Sequence, residues 1–140
     1  MYKTSAAFRY LTATGVALLT TSLSLAAAGE DPRTIVDRVY SVAQAERGEA
    51  RFKTSCSSCH SLSTFSGGAF ADRWYGQTMA EVFEFVSNAM PENNPGGLKK
   101  EEYADVLAYI LSINAYPVGT DDLPTDPAEL KKLAIAPNPK

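Results

Sequence analysis

Two cysteines and the only histidine of the chain stand within five residues, Cys56-Ser57-Ser58-Cys59-His60. No other cysteine competes for either thiol among the 140 residues, and there is no second imidazole. Whatever the chain folds into must serve that cluster. Three ordinary uses of such a pair fit it poorly. A dithiol redox motif of C-x-x-C type belongs in a βαβ setting, and no run of β-branched residues flanks this one. A structural zinc site wants four Cys or His ligands, and the chain has three in all. A disulfide across two intervening residues would be a tight, strained loop, where Cα separations of about 5.5–6 Å are usual.

Covalent attachment of a porphyrin fits better. Two thiols three positions apart can add to the two vinyl groups of a haem, and the next residue is then carried under the iron; C-x-x-C-H is the signature of c-type attachment. Cys56 and Cys59 are therefore expected to hold one haem c, with His60 as an axial iron ligand. A second histidine ligand is excluded, which leaves the methionines. Met1 lies in the leading segment, and Met79 opens an expected helix, where it reads as a core or surface side chain. Met90 directly precedes Pro91. Proline disfavours helical backbone in the residue before it, so Met90 is presented from an extended loop and is expected as the sixth ligand. A thioether raises the reduction potential relative to a second imidazole. With both axial positions filled, and no further Cys or His for catalysis, single-electron transfer is expected rather than enzymatic turnover.

Haem attachment of this kind is carried out outside the bacterial inner membrane, so an export signal is expected. Lys3 and Arg9 precede a weakly apolar run from Leu11 to Leu25, followed by Ala26-Ala27-Ala28. That is the order of a cleaved secretory signal, residues 1–28. The run is interrupted by Thr and Ser, which makes it marginal as a membrane span. Periplasmic location, without stable membrane insertion after cleavage, follows. Losing Lys3 and Arg9 and no acid moves the formal net charge from −3 to −5. Such a balance argues against nucleic acid and anionic membrane as partners. About 112 residues remain, enough for one domain with a modest core of its own.

The remainder reads as all-α. Asp31-Pro32 resembles a helix start, with a helical pattern to Ser55 that a break near Gln44 or Gly48 would interrupt. Residues 61–77 are rich in Ser, Gly and aromatics and read as loop. Thr78-Met79-Ala80-Glu81 fits a capping box for a helix to Asn88. Residues 90–97 hold two prolines and two glycines and are neither helix nor central strand. Tyr103, Val106, Leu107, Ile110 and Ile113 mark the buried face of a helix from Lys99 to Ile113. One helical turn is expected near Pro127–Leu133, and no strand pair anywhere.

In order along the chain, Gln44-Ala45-Glu46-Arg47-Gly48, Cys56–His60, Phe70 with Trp74, Met90-Pro91, Pro95-Gly96-Gly97-Leu98 and Tyr103–Leu111 resemble bacterial class I c-type cytochromes, particularly the cytochrome modules that serve periplasmic dehydrogenases. The resemblance implies a small cytochrome c-like fold with loops wrapped round a covalent haem. Its N-terminal helix, at Gly48 and Phe52, would cross the C-terminal one at Tyr109 and Ile110. It implies a haem pocket walled by Phe70, Trp74 and Leu98. It also implies a division into an N-terminal extension (29–43), a cytochrome domain (44–115) and a tail that wraps or docks (116–140). Two departures stand out. Ser61 follows His60 where many relatives have Gly, and no proline occurs between residues 33 and 90 to supply a carbonyl for the His60 Nδ1 hydrogen; a carbonyl from Gly67–Phe70 is the substitute expected. Lys99 stands where relatives carry a Ser or Thr helix cap.

Three functions fit these features. One is a periplasmic carrier taking electrons from a dehydrogenase and passing them to an oxidase or another cytochrome. A second is a dedicated cytochrome subunit of a periplasmic dehydrogenase complex. The third is an enzyme or gas sensor with a labile Met90.

Overall fold

The computed structural model describes residues 33–139. The expected signal segment and the Asp31-Pro32 pair lie outside the described residues. The first long helix, α1, spans Val42–Ser55 and is capped by Ser41, whose Oγ accepts the Gln44 N–H at 3.0 Å. The chain ahead of Ser41 is not helical, contrary to the reading from Asp31-Pro32. It is a two-residue strand β1 (Arg33–Thr34) and a turn in which Asp37 N–H reaches the Thr34 carbonyl. Asp37 in turn takes the Thr34 N–H on its carboxylate at 2.6 Å, and this local bond competes with helix formation. Once begun, α1 runs unbroken through Gln44 and Gly48. A mid-helix glycine costs about 1 kcal/mol relative to alanine. Here it lets α1 lie directly on the backbone of the last long helix at Asp105.

That helix, α4 (Lys100–Ile113), buries Tyr103, Val106, Leu107, Ile110 and Leu111, as its period required. Ile113 is only half-buried. Its start is half a capping box: Glu102 accepts the Lys99 N–H at 2.8 Å, while the Lys99 side chain has no acceptor to return. Arg47 and Arg51 of α1 flank the crossing. Arg47 grips Asp105 in bidentate fashion at 2.9 and 3.1 Å, and Arg51 pairs with Glu102. Between α1 and α4 the chain forms α2 (Gly68–Trp74) and α3 (Met79–Ala89). The capping box of α3 is complete, with Glu81 accepting from Thr78 N–H at 2.7 Å and Thr78 Oγ1 from Glu81 N–H at 3.3 Å. Met79 is buried at its first turn.

The segment expected as loop between residues 61 and 77 is mostly helical, with a 3-10 turn at Leu62–Phe65 ahead of α2. Phe70 and Trp74, one turn apart in α2, are both buried, and that anchoring outweighs the Ser and Gly content.

A strand pair exists where none was expected. β1 runs parallel to β2 (Leu133–Ala134), pairing Arg33 with Leu133 and Thr34 with Ala134. Ile135 N–H then bonds to the Gln77 carbonyl, and Gly76 N–H to the Ile135 carbonyl. The ladder is too short to leave a periodic signature; it exists because buried backbone groups need partners. Around it the tail turns through α5 (Pro127–Lys131), capped by Asp126, and packs on α3. Tyr116, Leu123, Leu130, Leu133 and Ile135 of the tail join Ile35, Val39 and Tyr40 in the same apolar core as the helices.

Candidate functional site

Helix α1 ends in the cysteine pair. Cys56 N–H still donates to the Phe52 carbonyl, and the Cys56 carbonyl accepts from both Cys59 N–H (3.1 Å) and His60 N–H (3.0 Å). The five residues thus make one continuous turn, which brings side chains three apart to the same side. The thiols are not bonded to each other; Cys56 is half-buried and Cys59 exposed. Burial pushes the Cys56 thiol above its ordinary pKa, with Arg51 acting weakly in the opposite direction.

Both thiols and the imidazole open on a cavity of about 710 Å³. Met90 and Pro91 lie on its wall, together with Phe52, Phe65, Trp74, Val86, Leu98, Val106 and Ile110. Four donors of the expected set, Cys56, Cys59, His60 and Met90, therefore share one space, although 30 residues of chain separate the last two. Met90 closes α3 in extended backbone (φ −124°, ψ 151°), as a residue before proline should. Its N–H donates to the Val86 carbonyl at 2.9 Å, and its carbonyl accepts from the Tyr103 hydroxyl at 2.6 Å.

Of the three pocket residues expected from resemblance, Trp74 and Leu98 line the cavity and Phe70 does not. Phe70 sits one layer back, edge-on to Trp74 at 5.1 Å and tilted against Tyr116 at 5.8 Å, because its position in α2 faces the tail. Phe65, from the stretch expected as loop, holds the nearer place. Its ring meets His60 at 5.3 Å, Phe52 at 5.8 Å and Trp74 at 6.1 Å. An aromatic isolated among Ser and Gly was the available signal.

No hydrogen bond reaches the His60 ring among the described residues, and the carbonyl expected from Gly67–Phe70 is not offered. Gly67 carbonyl is taken by Ala71 N–H in the first turn of α2. The segment is instead pinned by Asn114, which accepts the Gly67 N–H at 2.9 Å and donates to the Phe65 carbonyl at 2.8 Å. Among the described residues, Arg73 is the one Lys or Arg on the cavity wall, and Glu92 the one acid.

The arrangement suits a mostly apolar group. Small-molecule sites run to about 300–1,000 Å³ with few polar groups, and this wall carries two thiols that could bond a porphyrin covalently together with an imidazole and a thioether, ligand types suited to haem iron. No group of three or more His, Cys, Asp or Glu among the described residues could hold a bare metal ion. No helix among them is long and apolar enough to cross a membrane.

Residues 43–110 match the family model described as cytochrome C oxidase, cbb3-type, subunit III. The matched stretch runs from the first turn of α1 into α4 and contains the cysteine turn and the Met90 loop. No curated protein and no solved structure matches the chain.

Proposed function

Residues 43–110 belong to the class I c-type cytochromes, haem-binding electron-transfer domains, and from that premise we propose that this chain is a periplasmic single-electron carrier with one covalent haem c held between His60 and Met90. The observation that carries the reading is the common cavity: two free thiols, the sole imidazole and the loop methionine line the same apolar space.

When bound, haem c supplies an iron centre that alternates between ferrous and ferric states. The residues do the rest. Cys56 and Cys59 would tether the group to the end of α1 through thioether bonds. His60 and Met90 would be the iron ligands the chain supplies, and with both bound no site would be left for oxygen, peroxide or other small ligands. Phe52, Phe65, Val106 and Ile110 exclude water from the centre, which lessens solvent reorganisation when the charge changes. Arg73 and Trp74, both on the cavity wall, would offer donors for the carboxylates of the porphyrin.

Export by residues 1–28 fits this chemistry, because thioether attachment takes place outside the inner membrane. Mass spectrometry of protein exported by a host with a working maturation system should find one haem on the peptide bearing Cys56 and Cys59. An unmodified peptide overturns the reading.

A second reading rests on the description of the matching family, which names a subunit of an oxidase. By analogy this chain could serve as a lasting cytochrome subunit of a dehydrogenase or other oxidoreductase complex. The first reading is preferred because the flanking segments are used in the domain's own core, where Ile35, Tyr40, Leu123 and Leu130 are all buried. Size exclusion of a native extract separates the two: migration as a small monomer supports the carrier, and comigration with a large dehydrogenase the subunit.

A further inference from the structure

We propose that Tyr103 is a positioning residue for Met90, its phenol clamping both ends of the 90–98 loop to α4 and so holding the thioether at the cavity. The inference rests on the reading of Met90 as an iron ligand. Tyr103 is 3% exposed, and its ring meets Phe83 of α3 edge-on at 6.4 Å, which fixes the phenol between the two helices. The hydroxyl donates to the Met90 carbonyl at 2.6 Å and receives the Leu98 N–H at 3.4 Å.

The loop has its own turns, Asn94 N–H to the Pro91 carbonyl at 2.8 Å and Gly97 N–H to the Asn94 carbonyl at 3.0 Å. Those bonds shape it without attaching it to anything. Among the described residues, its hydrogen bonds to α4 both pass through the Tyr103 hydroxyl. Since the Met90 N–H is already spent on Val86, the phenol holds the remaining polar group of that residue. Withdrawal of the loop with Met90 would break this hydrogen bond. The hydroxyl therefore favours the ligated state over the released one.

The test is a titration of the haem-loaded ferric protein with imidazole, read by loss of the far-red sulfur-to-iron band. Tyr103→Phe keeps the ring against Phe83 and removes only the hydroxyl. Imidazole should bind it about three- to tenfold more tightly than wild type, the worth of one neutral hydrogen bond. Tyr40→Phe is the control: that buried hydroxyl donates to the Tyr116 carbonyl at 2.7 Å, away from the cavity lining. It should lose comparable stability in denaturant and leave imidazole affinity unchanged. If Met90→Ala gains imidazole affinity while Tyr103→Phe matches wild type, the clamp is disproved and the ligand stands. If Tyr40→Phe gains as much as Tyr103→Phe, general loosening explains the effect and the clamp is again disproved. If Met90→Ala binds no more tightly than wild type, Met90 is not the displaced ligand and both ideas fall.

Discussion

Gly48 lies so close to Asp105 that a Cβ at residue 48 would stand 1.8 Å from the Asp105 carbonyl oxygen and 2.5 Å from its carbon. The obstacle is backbone on both counts, and the Tyr109 Cβ at 2.9 Å closes the third side. Nothing there can swing away. The crossing of α1 on α4, which carries the cavity between the cysteine turn and the wall residues Val106 and Ile110, depends on this absence of a side chain.

Gly48→Ala should accordingly destabilise the protein, although alanine is the better helix former by about 1 kcal/mol. Separating two packed helices costs roughly 1–3 kcal/mol or more, and the steric term should win. Denaturant unfolding at unchanged m-value measures the difference. A variant as stable as wild type would refute the close approach.

Met90→Ala and Met79→Ala should part company. The first should lower the reduction potential, abolish the far-red band and admit external ligands. Met79 is buried in the first turn of α3 and is not on the cavity wall. Its loss should cost about 2–5 kcal/mol of stability with the spectrum of the folded protein unchanged. Absorption spectroscopy, redox titration and unfolding curves distinguish the two, and a spectral change in Met79→Ala alone would reverse the assignment.

Gln44 is 2% exposed and answers both backbone groups of Leu123: its Oε1 accepts the Leu123 N–H at 2.6 Å and its Nε2 donates to the Leu123 carbonyl at 3.2 Å. Gln44→Leu leaves that buried pair unsatisfied. A loss of about 1–3 kcal/mol for each stranded group is the scale to expect. Faster proteolysis or amide exchange around residues 117–125, with the haem spectrum preserved, would show the tail loosening. Unaltered exchange at Leu123 counts against the role.

Asp122 carries a pH dependence. The Ser41 hydroxyl, and after it the Arg47 guanidinium, hold its carboxyl below the usual carboxylate range. A group with a depressed folded value contributes its full stability above the unfolded value, about 3.9 for Asp. That contribution is lost as pH falls through the folded value. The stability gap between wild type and Asp122→Asn should thus be open near neutrality and narrow as the pH drops below about 4. A constant gap down to strong acid would contradict the assignment.

Much of the site was readable from local chemistry. Thr78 with Glu81 announced α3, the apolar period announced α4, a helical turn was expected near α5, and Pro91 announced the extended backbone at Met90. The start of α1 differs from the expectation because Asp31-Pro32 and Ser41 carry competing signals, and the bond between Thr34 and Asp37 acts in a stretch that looks helical by composition. Phe65 takes the place on the cavity wall expected of Phe70 for a similar reason. Which of two aromatics faces a cavity depends on how α2 is rotated, and Asn114, 47 residues downstream of Gly67, helps to set that.

The amino-acid order alone therefore determined the Cys56–His60 cluster and announced α3, α4 and α5, since residue spacing, capping and periodicity act over a few residues. Only the folded chain decided what surrounds the donors. The Gly48–Asp105 approach, the Gln44–Leu123 pairing and the Tyr103–Met90 bond join positions from 13 to 79 residues apart. Such contacts arise from the shape complementarity of packed helices, and short-range pattern carries no trace of it.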